Sequence, residues 1–209
     1  MSLGAHRYWK EVLIDFLSPR EDTHILDVAG GTGDVARRFL NRIKGNGFAT
    51  VSDPNEYMIE EGKKNHRFKS KIEWVVAPAE DLPFTDNTFD AYLVSFGVRN
   101  FSDIKRSLKE AYRVLKPGGK FFCLEFSKVE NKTVSSIYNM YSSIIPVIGK
   151  VIVGDEEPYK YLTKTIDEFP SQKEFKEIIE STEFTGVNYK NIFNGIVAIH
   201  FATKAVNAE

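Results

Sequence analysis

The sequence is poor in the features that would place it in several common classes. It has one cysteine, Cys123, in 209 residues, so neither an internal disulfide nor a cysteine-based metal cluster can form, and we expect a reducing, cytoplasmic compartment. It has no excess of positive charge: 28 Lys and Arg residues stand against 29 Asp and Glu, which argues against a nucleic-acid partner. Long apolar runs are also missing, because Asn139, Pro146 and Gly149 interrupt the most apolar stretch, residues 137–153, and make it a poor membrane span.

What is present is an ordinary globular composition, with 42% apolar residues, arranged as alternating short β-rich and helical segments. This alternation predicts an α/β fold, a parallel sheet covered on both faces, within a single domain over residues 1–209. Asn194-Gly195 separates two closing β-rich runs and predicts a hairpin, which would add an antiparallel strand near one edge. The predicted strands are residues 24–28, 48–52, 72–76, 89–95, 120–126, 187–193 and 196–203. Helices are predicted after residue 33 and over residues 104–115 and 171–179.

A glycine-rich segment, residues 27–34, joins the first predicted strand to the first helical pattern. Glycines at this position allow a tight turn and a close ligand approach. Two ligand classes use such a loop: a dinucleotide, whose pyrophosphate sits at the helix N-terminus, and S-adenosylmethionine, which has no phosphate. The pattern Gly31-x-Gly33-x-x-Ala36 satisfies the dinucleotide spacing but is weak evidence by itself.

Carboxylates around this loop favour S-adenosylmethionine. Asp27 and Asp34 flank the glycines, and they would attract an ammonium and a sulfonium but repel a pyrophosphate. Asp53 ends the second predicted strand, where an acid can hydrogen-bond a ribose diol in either ligand class. Asp27 and Asp34 could instead only compensate the helix dipole, so these residues alone leave both ligand classes open.

Further motifs carry a resemblance to known proteins. Five segments resemble class I methyltransferases in order and spacing: residues 27–34, Asp53-Pro54-Asn55 with Met58, residues 79–84, Phe89-Asp90 and residues 113–119. Three narrower segments resemble the ubiquinone/menaquinone biosynthesis C-methyltransferase family: Ser95-Phe96-Gly97-Val98-Arg99-Asn100, residues 124–128 and residues 195–200. Residues 1–10 also resemble a segment found inside that family, so the similarity spans essentially the whole chain.

The resemblance implies a doubly wound, seven-stranded, mostly parallel sheet of the Rossmann-like kind, with an antiparallel strand in the C-terminal hairpin. It implies S-adenosylmethionine as the methyl donor, and a polyprenylated benzoquinol or demethylmenaquinol as the acceptor, methylated on a ring carbon. The loop and the positions that match the family together give these candidate donor-site residues: Asp27, Gly31, Thr32, Gly33, Asp53, Pro78, Ala79 and Ser95.

Two departures from the family pattern bear on donor binding. Pro78 stands where a polar residue, often Asn, is usual, and proline offers neither a side-chain partner nor an N–H. Adenine recognition would then rely on backbone groups such as the Ala79 N–H. The family also carries a further N-terminal segment, including a Tyr-Asp pair, ahead of the stretch that matches Met1. Its absence from the printed sequence indicates a truncated chain, a misplaced start or an open site, with donor binding but poor turnover.

Arg99 and Asn100 are the candidate catalytic residues. They follow the fourth predicted strand at its carboxyl end, where ligand crevices open in such sheets, and the resemblance puts them at the quinol. A phenol has a pKa of about 10, so the enzyme must stabilise the phenolate or supply a base, and arginine stays protonated and is a poor base. We therefore interpret Arg99 as an electrostatic clamp on the developing phenolate and Asn100 as its hydrogen-bonding partner. Arg99 could instead anchor a loop through a carboxylate. For Glu125, a proton relay and a structural ion pair both stay open, and His200 is predicted to be a core histidine.

Residues 129–170 interrupt the alternation and predict a helical insertion or lid. Its apolar and aromatic residues suit either a cover for the prenyl tail that touches the inner face of a membrane, or a packed cap without a lipid role. A homodimer or a quinone-biosynthesis complex stays open. No metal is expected, since the four histidines form no ligand spacing and methyl transfer needs none.

Three alternatives to a quinol methyltransferase remain at this point. The first is a methyltransferase for another small molecule, which the donor motifs do not exclude. The second is a catalytically weak S-adenosylmethionine-binding subunit of a quinone-biosynthesis assembly, which Pro78 keeps open. The third is a nicotinamide oxidoreductase, which the glycine spacing allows.

Overall fold

A computed structural model describes residues 5–128 and 157–206 of the chain. Its strands are β1 (His24–Val28), β2 (Phe48–Asp53), β3 (Ile72–Val76), β4 (Phe89–Ser95), β5 (Leu115–Phe126), β6 (Phe184–Ile192) and β7 (Val197–Lys204). The helices within these residues are α1 (Ala5–Leu17), α2 (Asp34–Arg42), α3 (Glu56–Lys63), α4 (Ile104–Val114), α5 (Glu157–Glu168) and α6 (Gln172–Glu180). The order of elements confirms the α/β alternation predicted from the sequence.

All seven strands form one sheet in the order β3-β2-β1-β4-β5-β7-β6. The pairs from β3 through β5 are parallel, and β7 runs antiparallel to both β5 and β6. The predicted hairpin is therefore present, and its turn is formed by Asn194 and Gly195 with φ values of 55° and 89°. This is the seven-stranded, mostly parallel sheet that the resemblance implies.

Strand boundaries depart most from the predictions at β6 and β5. Strand β6 begins at Phe184, before the predicted residue 187, and a register shift lies between Thr185 and Asn188. Strand β5 begins at Leu115, and its pairing with β4 jumps from Leu115 to Lys120, so the predicted Pro-Gly-Gly stop is a bulge inside the strand.

Local side-chain caps explain where several helices start. The Asn55 carboxamide accepts a hydrogen bond from Met58 N, and the Asp103 carboxylate accepts one from Arg106 N. At α6 the Ser171 hydroxyl and the Glu174 carboxylate form a capping box. Each cap satisfies a backbone N–H that would otherwise lack a partner in the first helical turn.

The sheet has an apolar core on each face, as a doubly wound fold requires. On one face α1 and α2 cover β1 and β4, with Trp9, Leu13, Phe39 and Leu93 buried together. On the other face α4 and α6 cover a second cluster, which includes Tyr92, Phe121 and Phe175. The two helical layers fix the carboxyl ends of β1, β2 and β4 relative to one another, and these ends carry the candidate site.

His200 on β7 is a buried core residue, as predicted. Its Nε2 lies 2.9 Å from the Gln172 carbonyl oxygen, and its ring packs against Phe175 and Tyr189. Burial lowers the pKa of His200 to about 4, so the imidazole is neutral at physiological pH. A ring that is neutral at physiological pH and lies in an apolar cluster serves packing.

The predicted insertion over residues 129–170 falls partly outside the described residues, which resume at 157. Within the described part, α5 belongs to it, and Ile166 and Phe169 at its end are buried. Across the described stretches, no helix combines the length and the apolarity that crossing a bilayer requires.

Candidate functional site

The strand order places a crevice at the carboxyl ends of β1 and β4. The chain runs outward from β1 to β2 and β3 on one side, and from β4 to β5 on the other. Connections that leave two neighbouring strands in opposite directions leave a gap between them, where open α/β sheets bind their ligands. Of the ten candidate residues, Asp27, Asp53 and Ser95 lie at the carboxyl ends of β1, β2 and β4, and the other seven lie in the segments that follow β1, β3 and β4.

The loop after β1 has the backbone conformations that only a glycine-rich sequence adopts easily. Gly31 and Gly33 have φ values of 56° and 76°, in the left-handed region that disfavours residues with a Cβ. A Cβ on Gly33 would lie 2.6 Å from the Trp74 ring, and one on Gly30 would lie 2.9 Å from the Asp27 carbonyl oxygen. The glycines therefore let the loop fold tightly over the end of β1.

Asp27 is fully buried at the base of this loop. Its Oδ2 accepts a hydrogen bond from Ala36 N in the first turn of α2, at 3.2 Å, whereas its Oδ1 is buried without a partner. Burial raises the pKa of Asp27 to about 7, although Lys10 and the Ala36 N–H oppose this rise. A buried carboxylate oxygen without a partner costs free energy, and a cationic ligand group in the crevice would remove that cost.

Asp53 joins the β2 end to the glycine loop. Its Oδ2 accepts a hydrogen bond from Gly31 N at 2.8 Å, and its Oδ1 accepts one from Asn55 N at 2.9 Å. Each carboxylate oxygen can accept a further bond, so the side chain is oriented by the backbone and keeps capacity for a diol. The side chain of Met58, one turn into α3, covers Gly31, since a Cβ there would lie 3.2 Å from the Met58 methyl group.

Thr32 follows β1, and Pro78 and Ala79 follow β3, on the side of the sheet order that runs from β1 through β2 to β3. The Thr32 carbonyl oxygen accepts a hydrogen bond from Arg37 Nη2 at 2.6 Å, which fixes the loop on α2. Pro78 is exposed and Ala79 is buried. The preceding residue, Ala77, holds this segment beside β2. Its N–H donates to the Asp53 carbonyl oxygen, and its carbonyl oxygen accepts from the Ser52 hydroxyl.

The β4 end forms the opposite wall. The Ser95 hydroxyl is a second buried polar group without a partner. After Ser95 the chain turns sharply through Phe96, which has a φ of 58°. A Cβ on Gly97 would lie 2.7 Å from the Ala29 Cβ, so the turn after β4 touches the glycine loop after β1. This contact brings the Ser95 and Asp27 strand ends together across the crevice.

Arg99 is bound by a nearly buried carboxylate. Its Nη1 lies 2.6 Å from Glu125 Oε1 and 2.9 Å from the Phe96 carbonyl oxygen, and its guanidinium carbon lies 5.6 Å from the centre of the Phe126 ring. Burial raises the pKa of Glu125, and the Arg99 cation opposes the rise. The ion pair considered for Glu125 is thus present, and the buried Arg99 Nε keeps a free donor. The clamp role of Arg99 stays a prediction.

Asn100 lies at the exposed outer end of this turn. Its Oδ1 accepts a hydrogen bond from the hydroxyl of Tyr161 on α5, at 3.1 Å. The residue after Arg99 is therefore tied to the described part of the predicted insertion. Its place beside Arg99 confirms neither a catalytic role nor a purely structural one.

Sequence reasoning missed Lys10 of α1, which lies next to the glycine loop. Its Nζ is 3.2 Å from Asp34 Oδ2, and it is the cation with the largest effect on Asp27. The position of Lys10 depends on how α1 docks on α2. Within residues 5–128 and 157–206, no cluster of His, Cys, Asp or Glu side chains could hold a metal ion, and metal independence remains a prediction.

The residues present fit S-adenosylmethionine better than a dinucleotide. Among the described residues, Asp27 Oδ1 and Ser95 Oγ are buried without partners at the ends of the neighbouring strands β1 and β4, and Asp53 ends β2 on the other side of β1. The first turn of α2, where a pyrophosphate would bind, already gives its Ala36 N–H to the Asp27 carboxylate. An anionic ligand there would meet a carboxylate, whereas the ammonium and sulfonium of S-adenosylmethionine would be attracted.

Comparison with solved structures agrees with this assignment of the fold. A methyltransferase from Aquifex aeolicus, described as S-adenosylmethionine-dependent, superposes with a TM-score of 0.66 at 19% identity, covering 94% of this chain and 89% of that one. The strand order and the crevice define the fold of a class I S-adenosylmethionine-dependent methyltransferase.

Sequence comparison identifies the family within that class. The sequence model of the ubiE/COQ5 methyltransferase family matches residues 1–204, and the chain belongs to this family. A ubiquinone/menaquinone biosynthesis C-methyltransferase UbiE from Rickettsia bellii is 48% identical over 98% of this chain and 85% of its own length. The mitochondrial 2-methoxy-6-polyprenyl-1,4-benzoquinol methylase of Bos taurus is 44% identical over 98% of this chain and 73% of its own length.

Proposed function

We propose that the protein transfers a methyl group from S-adenosylmethionine to a ring carbon of a polyprenylated benzoquinol or demethylmenaquinol, in ubiquinone/menaquinone biosynthesis. The observation that carries this proposal is the buried Asp27 carboxylate, with an oxygen that lacks a partner, under the glycine loop of a chain that belongs to the ubiE/COQ5 family. The relatives named above are quinol or quinone-biosynthesis methyltransferases, and they supply the acceptor class.

The donor site is assigned from the groups that remain able to bind. Asp27 Oδ1 and Ser95 Oγ have no partner among residues 5–128 and 157–206, and Asp53 is oriented by two backbone N–H groups. We assign Asp27 to the ammonium of the methionine moiety and Asp53 to the ribose diol, with the glycine backbone and Thr32 alongside. When bound, S-adenosylmethionine would supply an electrophilic methyl group: its bond to sulfur breaks as the bond to the acceptor carbon forms, S-adenosylhomocysteine leaves, and the acceptor carbon then loses its proton to restore the aromatic ring.

The acceptor side is assigned to the turn after β4. A quinol carbon becomes nucleophilic when the neighbouring hydroxyl loses its proton, so a positive group near that oxygen lowers the barrier. Arg99 carries a permanent charge and keeps an Nε–H donor free for the phenolate. The Glu125 carboxylate holds the guanidinium in place, and burial raises its pKa while the Arg99 cation opposes the rise. Asn100 positions the outer end of the turn.

The direct test is a mass-spectrometric assay with isotopically labelled S-adenosylmethionine and short-chain demethylated quinols kept reduced. We expect a labelled methyl group on the ring carbon of one quinol class, and loss of product in Arg99→Met. The matched control Arg106→Met, on exposed α4, should keep its activity. Methyl transfer to other small molecules but to no quinol would contradict the acceptor. Binding of NAD but not of S-adenosylmethionine in calorimetry would contradict the donor.

Contact with a membrane surface is part of this proposal, because a polyprenyl tail partitions into a bilayer. The predicted cover is the insertion over residues 129–170, of which residues 129–156 lie outside the described part of the chain. Co-sedimentation with liposomes, with and without polar substitutions in that insertion, separates the lipid role from a packed cap: unchanged partitioning refutes the lipid role. Light scattering of the same sample distinguishes a monomer from a homodimer.

A further inference from the structure

A row of ion pairs joins α1 to α2 and ends beside the glycine loop. Lys10 Nζ lies 3.2 Å from Asp34 Oδ2, Glu11 pairs with Arg38, and Asp15 pairs with Arg42. The two sheltered cations of this row are Lys10 and Arg38, whose side chains are 19% and 17% exposed, whereas Arg42 and Asp15 are 42% and 57% exposed. Exposed pairs contribute little to stability, and of the two sheltered cations it is Lys10 whose charge acts on Asp27.

Asp27 is surrounded by charges from three elements. Lys10 reaches it from α1, Asp34 and Arg37 from α2, and Asp53 from the end of β2. Two of these groups are carboxylates, which disfavour a further negative charge on Asp27, and burial disfavours it more strongly still. Burial would also raise the pKa of Asp34, but Lys10 and Arg38 lower it, so Asp34 stays ionised next to the loop.

We propose that Lys10 is a positioning residue for methyl-donor binding: it keeps the buried Asp27 carboxylate ionised, and so able to bind the donor's ammonium group. This inference rests on the proposed function, because it assumes that the donor occupies the crevice above Asp27. It assigns the role to the charge of Lys10, which contacts Asp34 and acts on Asp27 at longer range.

The physical basis is the competition between burial and nearby charge. Burial raises the pKa of Asp27 to about 7, and Lys10 is the strongest influence that lowers it. Removing the ammonium of Lys10 therefore raises that pKa further, and at neutral pH Asp27 takes up a proton. A neutral carboxylic acid attracts the donor's ammonium far less than a carboxylate does. Donor affinity is then lost as pH falls, and the loss begins at higher pH without Lys10.

Calorimetric titration with S-adenosylmethionine between pH 6 and pH 8.5 tests the inference. The unaltered protein should lose affinity as pH falls below about 7. In Lys10→Met this loss should move up by roughly one pH unit, the smaller end of the shifts that one nearby charge causes. The dissociation constant then rises about tenfold at pH 6 and stays within about twofold at pH 8.5. The donor's own ammonium has a pKa of about 7.7–8.0. Its titration affects every variant equally, so it does not alter the comparison between variants.

Three further variants distinguish charge from packing. Lys10→Arg should keep the profile of the unaltered protein. Arg42→Met breaks the far end of the same row of ion pairs and should also leave the profile unchanged. Asp27→Asn should bind the donor weakly and lose the acidic part of the pH dependence.

The inference is overturned if Lys10→Met and the unaltered protein have the same pH profile, or if Lys10→Met weakens binding by one factor at every pH. If the unaltered protein binds no S-adenosylmethionine at any pH, the proposed function is overturned as well. Failure of the Lys10 inference alone is therefore distinguishable from failure of the proposed function.

Discussion

Replacing Arg99 by methionine leaves the buried Glu125 carboxylate without its cation. The two groups lie 2.6 Å apart, and their side chains are 11% and 1% exposed. Removing one partner of such a pair costs about 3–5 kcal/mol. Burial already raises the pKa of Glu125, and the Phe126 N–H still donates to it, so the carboxyl can take up a proton and limit the loss. We expect about 3 kcal/mol, which lowers Tm by roughly 6–12 °C for a chain of this length.

The double variant Arg99→Met/Glu125→Gln separates the loop-anchoring role of Arg99 from its proposed role at the acceptor. A neutral glutamine still accepts from the Phe126 N–H, so urea unfolding should show at least half of the lost stability restored, with Glu125→Gln as the single-variant control. If Arg99 stabilises a phenolate, kcat should stay about 100-fold low or worse, while the dissociation constant for S-adenosylmethionine is unchanged. A double variant that is stable and turns over within about threefold of the unaltered protein would refute the clamp.

Three further outcomes follow from the structure, each measured by urea unfolding. Asp27→Asn should stabilise the protein by up to about 4 kcal/mol at pH 8 and leave its stability unchanged near pH 4. The folded-state pKa of Asp27, about 7, lies above the ordinary 3.8, so the stability that the protonated acid provides is lost as pH rises through 7. Equal stabilities of the two proteins at pH 8 would contradict this. The unaltered protein should lose about 3 kcal/mol of unfolding free energy as pH falls from 6.5 to 4, because the folded-state pKa of His200, about 4, lies below the ordinary 6.5. His200→Gln should abolish this loss, and an equal loss in both proteins would refute the reasoning. Gly33→Ala should lower the free energy of unfolding by about 2–3 kcal/mol, because the residue has a left-handed φ and its Cβ would lie 2.6 Å from Trp74. Trp74→Leu in the same chain should restore the steric part of this loss. If it restores nothing, the loss comes from the backbone conformation alone.

The fold was largely predictable because its signals are local. Buried parallel strands read as short apolar runs, and the bounds of β1, β3 and β4 agree with the structure. The start of β6 was missed because a bulge between Thr185 and Asn188 interrupts its alternation, and Gly186 there has a φ of 63°. The bulge in β5 was read as the end of a helix, since a Pro-Gly-Gly run predicts a stop whether or not pairing resumes beyond it.

The candidate site was predictable only in part, for a different physical reason. Asp27 and Asp53 end neighbouring strands, and parallel topology brings such ends together. The ion pair between Arg99 and Glu125 joins residues 26 positions apart, and sequence alone left it as one of two roles. The contact between Lys10 and Asp34 had no signal, since it depends on the angle at which one helix docks on another.

The two tryptophans of the chain occupy positions that make them built-in optical sensors. The Trp74 indole lies against Gly33 of the glycine loop and against Gly62 of α3, and the Trp9 ring is 6.0 Å from Phe96 and 5.9 Å from Phe126. Trp74 therefore stands next to the side of the crevice assigned to the donor, and Trp9 next to the turn that carries Arg99. A chain with only one of these fluorophores would report on each side separately, so the sequence of ligand arrivals can be followed in real time without a label.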